Sequence, residues 1–195
     1  MMTLRSPSRP GAPVSRRRFL QTLGGTSMAL VLKPAVSAQG PSLSPGSTRL
    51  LRCLGRGPGA NRYLDGNTVR ASVSVRPLPS KPLSGMWWRV VRISEGVVAL
   101  ECRGDVEGNR WLDGNTTNGV VALAPHTRAP FTGTRWQVVA IDRNDPNVFA
   151  LRCLGQVQTD RKWLDGNTAS GAVTLATTTD PPFTGTRWKA EVLFD

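Results

Sequence analysis

The chain has 195 residues, enough for one substantial hydrophobic core, and a formal net charge of +12. Six of its basic residues and none of its acidic ones lie in the first 38 residues, and the other 157 residues carry 19 basic and 13 acidic side chains. A nucleic-acid-binding domain carries its Lys and Arg residues in a stripe or patch, so this mild, dispersed excess argues against that class. With a single His and three Cys in the sequence, few catalytic or metal-binding clusters can be assembled.

Residues 1–38 have the layout of an export signal. The segment Ser15–Gln21 resembles the twin-arginine motif, and it precedes a short apolar stretch over residues 23–32 and a small-residue ending at Val36–Ala38. The apolar stretch is much shorter than the ~20 residues of a membrane span, and no cysteine near its end offers a site for a lipid anchor. We therefore expect a periplasmic or secreted protein without a membrane anchor after cleavage, with a flexible leader over residues 39–49.

A six-residue segment that reads aromatic-Leu-Asp-Gly-Asn-Thr occurs three times in the remaining chain. Its copies are Tyr63–Thr68, Trp111–Thr116 and Trp163–Thr168. A Trp follows 25 residues after each opening aromatic, and 18 of 26 positions are identical between residues 111–136 and 163–188. A period of about 50 residues that occurs three times indicates one structural unit used three times. We place the repeats approximately at residues 50–98, 99–147 and 148–195.

Each repeat predicts four short strands and no helix, because apolar residues alternate at period two in four segments. Gly and Asn between these segments tolerate the left-handed backbone that tight hairpins require. Twelve strands in three such units resemble a β-trefoil, which implies an all-β fold with a six-stranded barrel capped by three hairpins; a β-prism is the second choice. The resemblance covers residues 49–195. The predicted core consists of Leu51, Cys53, Leu64, Val73, Val75, Trp88, Val90 and their equivalents in the other two repeats.

The three cysteines, Cys53, Cys102 and Cys153, each follow a Leu by two residues on the first predicted strand of a repeat. Residues i and i+2 share a face of a strand, so each Cys is expected to point into the core with its Leu. A three-thiolate metal site would want a further ligand, and the single His126 lies in a loop of the second repeat. We predict buried free thiols, no metal site and no cofactor.

The repeated aromatic-Leu-Asp triplet is the strongest candidate for a binding site. If the Leu points into the core, the aromatic and the Asp share the outer face of the strand. An aromatic ring can stack on the apolar face of a sugar, a carboxylate can accept hydrogen bonds from its hydroxyls, and the Asn of the next turn can add an amide. The candidate ligand-binding residues are Tyr63, Asp65, Asn67, Trp111, Asp113, Asn115, Trp163, Asp165 and Asn167. The pattern also fits a structural role in which each Asp fixes its own hairpin and the aromatics cover the barrel, and both interpretations stay open.

Catalysis has little support, because no Ser and His share an element and the repeated Asp residues belong to separate repeats. We therefore predict a binding protein and not an enzyme. Many exported β-trefoils bind carbohydrate, and this chain is similar to that lectin-like group. It is also similar to the fascin-like trefoils, in which a Tyr-Leu pair opens the second strand.

The ricin-type trefoils repeat Gln-x-Trp near the end of each unit, whereas residues 134–136 and 186–188 read Thr-Arg-Trp. The sugar-binding residues of that subgroup therefore cannot be carried over to this chain. We expect a monomer that binds polysaccharide or surface glycan weakly at each of up to three sites, with avidity from multivalency. The alternatives are a protein-binding trefoil such as a protease inhibitor, which would use the loop Ile141–Asn147, and a structural domain without a ligand.

Overall fold

Twelve β-strands, four in each repeat, dominate residues 43–157 and 159–192, which the computed structural model describes. The predicted signal peptide lies outside the described residues. The first repeat contains β1 (Thr48–Cys53), β2 (Tyr63–Asn67), β3 (Ser72–Arg76) and β4 (Trp87–Ser94). The second contains β5 (Val97–Cys102), β6 (Trp111–Gly114), β7 (Val121–Ala124) and β8 (Trp136–Ala140). The third contains β9 (Val148–Cys153), β10 (Trp163–Gly166), β11 (Val173–Ala176) and β12 (Trp188–Glu191).

The first and fourth strands of the three repeats close into a six-stranded antiparallel barrel. The pairs run in the order β1-β4-β5-β8-β9-β12, and β12 pairs with β1 again. The second and third strands of each repeat form a hairpin. The three hairpins meet at one end of the barrel, where β3 pairs with β7 and isolated bridges join the third hairpin to the other two. This capped barrel is a β-trefoil, and the predicted fold class is confirmed.

A fully buried Trp at the start of each fourth strand anchors the core. The indole N–H of Trp136 donates to the carbonyl oxygen of Leu112 at 2.9 Å. Trp88 and Trp188 make the equivalent bonds in their own repeats, at 3.0 and 2.9 Å. Each bond satisfies the one polar group of a ring that has no access to water, so the three rings can be buried without an unpaired donor.

The core matches the predicted set with small differences. Val73 and Val138 are only half-buried, although both pack against the core, and the other predicted positions are buried. Leu43 also lies in the core, with 4% of its surface exposed. The prediction of a flexible leader over residues 39–49 is therefore wrong for residues 43–49, because the buried Leu43 ties this segment to the barrel.

Three one-turn 3-10 helices, which the strand pattern did not predict, precede the fourth strands. They span Ser84–Met86, Thr132–Thr134 and Thr184–Thr186. The central Gly of each is so close to the Asp-Gly-Asn-Thr segment of its own repeat that an added Cβ would collide with the backbone there. None of the described residues forms a helix long and apolar enough to cross a membrane.

Candidate functional site

The Gly of the repeated Asp-Gly-Asn-Thr segment is required by core packing. A Cβ placed on Gly114 would lie 2.9 Å from Cys153 Sγ and 3.0 Å from the ring of Trp136. Gly66 and Gly166 are equally crowded by a thiol and an indole ring. The Gly thus shares the inner face with the preceding Leu, and the Asp between them lies on the outer face.

The Asn and Thr of the segment are largely occupied by the backbone. Asn115 Oδ1 accepts the N–H of Thr117 at 3.0 Å, and the side-chain oxygens of Asn67 and Asn167 accept equivalent turn N–H groups. Thr116 Oγ1 donates to a carbonyl of the loop that follows the first strand of the next repeat, at 2.7 Å, and Thr68 makes the same bond. The three predicted Asn residues line the clefts described below, but their oxygens fix the turns.

The three cysteines are free and buried, and their thiols act as hydrogen-bond donors. Cys153 Sγ lies 3.3 Å from the carbonyl oxygen of Gly114 and 3.4 Å from that of Gly133, and Cys53 and Cys102 bridge the equivalent carbonyls at 3.3–3.5 Å. Burial raises the pKa of all three thiols, that of Cys153 to about 11. Among the described residues no group of His, Cys, Asp or Glu is placed to hold a metal ion.

Three clefts related by the repeat symmetry open beside Asp65, Asp113 and Asp165, and we name each by its Asp. They enclose about 300, 390 and 430 Å³, respectively. The Asp-Gly-Asn-Thr segment forms the floor of each cleft, the one-turn helix of the same repeat forms one wall, and the loop after the first strand of the next repeat forms the other. Each cleft is therefore built from two adjacent repeats.

One hydrogen bond, present in all three repeats, fixes the two walls of each cleft to each other. Thr132 Oγ1 accepts the backbone N–H of Gln156 at 3.0 Å in the Asp113 cleft. Thr184 does the same in the Asp165 cleft and Ser84 in the Asp65 cleft, both at 3.1 Å. The cleft geometry is therefore set before any ligand enters.

Asp113 and Asp165 each bury one carboxylate oxygen that has no hydrogen-bond partner among the described residues. That oxygen packs on the one-turn helix, 2.8 and 2.7 Å from where a Cβ on Gly133 or Gly185 would lie. Both side chains are only partly buried, and both line their clefts. Desolvation by burial raises the pKa of both carboxyls. A desolvated carboxylate without a partner is unfavourable. Because Oδ1 is sealed against the one-turn helix, a donor that entered the cleft would bind the second carboxylate oxygen.

The Asp65 cleft differs from the other two because it contains its own cation. Arg76 lies across the hairpin from Tyr63, and its Nη1 is 3.4 Å from Asp65 Oδ2. The equivalent positions on β7 and β11 hold Ala124 and Ala176. Only 7% of the Asp65 surface is exposed.

The aromatic side chains that line clefts are Phe131 and Phe183, which the sequence analysis did not single out. Phe131 is held edge-on by His126, with ring centroids 5.0 Å apart and planes at 76°. The equivalent residue in the Asp65 cleft is Leu83. A signal was present in the sequence, since residues 131–136 and 183–188 share the string Phe-Thr-Gly-Thr-Arg-Trp.

The predicted aromatics Tyr63, Trp111 and Trp163 are half-buried, and none is among the residues that line the clefts. Their strands carry them about 6–7 Å from the Asp two residues on, nearer to the barrel strands with which they pair. The Tyr63 hydroxyl donates to Glu191 Oε2 at 2.9 Å. The structure thus brings the predicted Asp and Asn residues together and leaves the predicted rings outside.

No protein-family model matches the chain, and no curated protein matches it either. Among solved structures, the designed threefold-symmetric protein ThreeFoil superposes with a TM-score of 0.54 at 18% identity, over 75% of this chain and 99% of its own. A BEL β-trefoil in an apo crystal form gives 0.53 at 18% identity, over 77% and 95%. The GlcNAcα1-4Gal-releasing endo-β-galactosidase from Clostridium perfringens gives 0.52 at 13% identity, over 73% of this chain and 31% of the enzyme. Likeness at this level of identity establishes the fold, and this chain is a β-trefoil.

Proposed function

We propose that this protein is an exported carbohydrate-binding β-trefoil, and that it binds polysaccharide or surface glycan through the Asp113 and Asp165 clefts. The observation that carries the proposal is the pairing, in each of these two clefts, of a phenylalanine ring with a carboxylate that lacks a protein partner. The ring offers a flat apolar surface to the C–H face of a sugar, and the carboxylate accepts hydrogen bonds from neighbouring hydroxyls.

The energetics of the two carboxylates favour a binding role over a structural one. An Asp that stabilised its own hairpin would have its buried oxygen paired with backbone N–H groups. In Asp113 and Asp165 that oxygen has no partner among the described residues. Ionisable residues that are desolvated at a cost to the free protein are typical of functional sites.

The clefts support binding and not hydrolysis. Each of the two contains one ionisable residue among its described lining residues, its Asp. Glycoside hydrolysis generally requires two carboxyl groups about 5–10 Å apart on either side of the scissile bond. Two clefts on one rigid fold instead suit bivalent attachment to a repetitive glycan, in which weak single sites combine into useful avidity.

A glycan array tests the proposal. We expect the purified protein to bind a subset of the arrayed glycans and an Asp113→Asn/Asp165→Asn double variant, which keeps the side-chain shape, to lose that binding. The matched control is Glu95→Gln, which removes a carboxylate from an exposed turn between β4 and β5. Far-UV and near-UV circular dichroism would establish that both variants are folded.

Two outcomes would overturn the proposal. One is a parent protein that binds no glycan on a broad array. The other is a folded double variant that binds as the parent does. Either result would direct attention to protein partners and to the loop Ile141–Asn147, in which Asp145 is held to Lys189 at 2.8 Å.

A further inference from the structure

The Asp65 cleft indicates which kind of chemical group fits beside the carboxylate that all three clefts share. There, the guanidinium of Arg76 lies 3.4 Å from the carboxylate. Arg76 is itself one of the residues that line this cleft. The first repeat therefore pairs its cleft carboxylate with a cation from its own β3 strand.

The other two clefts keep the carboxylate and lack the cation. Ala124 and Ala176 replace the arginine, and no Lys or Arg is among the described lining residues of either cleft. These two clefts are also the larger ones, at about 390 and 430 Å³ against about 300 Å³. Each is a preformed site with one negative charge on its described lining. A cation close to the Asp165 cleft is Arg62, whose guanidinium donates to the carbonyls of Gly55 and Gly57 in one wall.

We propose that the Asp113 and Asp165 clefts select glycans that carry a protonated amine, such as a polymer of deacetylated amino sugars. This inference rests on the proposed function and names the class of sugar that the two clefts take. The ammonium group occupies the position that the Arg76 guanidinium occupies in the first repeat, and Phe131 or Phe183 supports the sugar ring beside it. The carboxylate makes a charge-assisted hydrogen bond to either group, but only the ammonium adds the Coulomb attraction of a full positive charge, so the carboxylate favours an amine over the corresponding acetamide.

Because the protein as a whole is positively charged, selectivity for an amine has to come from individual sites and not from the overall charge. The chain has a net charge of +12, and the residues after position 38 retain an excess of basic side chains. An oligocation is therefore repelled by the surface as a whole. Preferential binding of such a ligand has to come from specific carboxylates, and these two clefts supply them with no Lys or Arg among their described lining residues.

The test compares two ligands of the same linkage and length, a tetramer of glucosamine and a tetramer of N-acetylglucosamine, by isothermal titration calorimetry at low ionic strength. We expect the glucosamine tetramer to bind roughly tenfold more tightly, because only its ammonium groups form an ion pair with the carboxylates. We also expect the Asp113→Asn/Asp165→Asn variant to lose that preference and Glu95→Gln to retain it. Equal or tighter binding of the acetylated tetramer, or a preference that survives in the double variant, would overturn the inference.

The outcomes separate this inference from the proposed function. Neutral glycans that bind in an Asp113- and Asp165-dependent way, with no advantage for the amine, would sustain the proposed function and overturn the selectivity. Failure of every glycan, with or without an amine, would overturn both. Tighter binding of a tetra-arginine peptide than of the glucosamine tetramer would indicate that the clefts take a basic protein segment. That result would overturn the inference as well.

A second variant tests the role given to Arg76. Arg76→Ala leaves Asp65 without its cation, as in the other two clefts. We expect the glucosamine tetramer to shift the amide resonances of Asn67 and Val106, which line the Asp65 cleft, in this variant and not in the parent. Unchanged resonances in the variant would contradict the view that Arg76 occupies the position of the ligand amine.

Discussion

Cys153 Sγ donates to the carbonyl oxygen of Gly114 across 3.3 Å, although the two residues are 39 positions apart and belong to different repeats. The same contact joins Cys53 to Gly166 and Cys102 to Gly66, so it occurs at all three junctions between repeats. Each thiol reaches the Gly that follows the cleft Asp. The repeats are therefore joined directly beneath the clefts, and the position of each carboxylate depends on the packing of the neighbouring repeat.

The first prediction concerns the close packing at this junction. Gly114→Ala places a methyl group 2.9 Å from Cys153 Sγ, and we expect it to lower the free energy of unfolding by about 1–3 kcal/mol. The penalty should shrink in a Cys153→Ala background, because the sulfur that crowds the methyl group is gone. Denaturant unfolding of the two single variants and the double variant measures this coupling, and strict additivity of the two changes would argue against the contact.

The second prediction concerns the indole hydrogen bonds. Trp136→Phe keeps a large ring but removes the donor to the Leu112 carbonyl, which is left buried and unpaired. We expect the free energy of unfolding to fall by about 2 kcal/mol or more and the melting temperature to fall by roughly 5 °C. Trp87→Phe, at a half-buried neighbour of Trp88, is the matched control. A Trp136→Phe protein that melts with the parent would show that the bond contributes nothing.

The third prediction concerns the charge of Asp113. Burial raises its folded-state pKa above the ordinary Asp value of 3.8, so the folded protein retains the proton to higher pH than the unfolded chain. The stability that this carboxyl contributes is present below pH 3.8 and is lost as the pH rises through the raised pKa. Asp113→Asn, which is neutral throughout, should be about 1 kcal/mol more stable than the parent at neutral pH.

Urea unfolding at several mildly acidic and neutral pH values measures this difference. The gap between Asp113→Asn and the parent should widen with rising pH. Asp65→Asn is the comparison, because it removes the partner of the half-exposed Arg76 and should lower stability by less than about 1 kcal/mol. A parent that is more stable than Asp113→Asn at neutral pH would show that the carboxylate has a structural partner.

The fourth prediction concerns the three thiols. All three cysteines are buried, and their pKa values are raised, so the native protein holds little reactive thiolate at neutral pH. We expect no rapid reaction with Ellman's reagent in the native state and three thiols per chain after unfolding in guanidinium chloride. Rapid modification of a thiol in the native protein would contradict the packing of the junctions.

The repeats, the strands and the buried Trp residues could be predicted because each is a local property of the sequence. Leu64 and Trp88 point inward because apolar residues alternate at period two and because large apolar side chains are buried. Both signals can be recognised within a single repeat. The placement of Asp113 on the outer face followed from the same alternation.

The contents of the clefts could not be predicted in this way, because they depend on contacts between distant segments. Phe131 lies in the Asp113 cleft immediately before a one-turn helix that has no strand-like pattern, and the opposite wall comes from the next repeat. Arg76 meets Asp65 through the hairpin register and not through sequence proximity. The difference between the first cleft and the others therefore depends on residues outside the shared Asp-Gly-Asn-Thr segment.

The number of bound glycans per chain tests most directly whether the Asp113 and Asp165 clefts bind ligand while the Asp65 cleft, whose carboxylate is paired with Arg76, does not. We would titrate the parent, the two single variants Asp113→Asn and Asp165→Asn, and the double variant with the tightest glycan found on the array, by isothermal titration calorimetry. The structure leads us to expect two sites in the parent, one in each single variant and none in the double variant. Three equivalent sites in the parent, or two sites that persist in the double variant, would contradict the assignment.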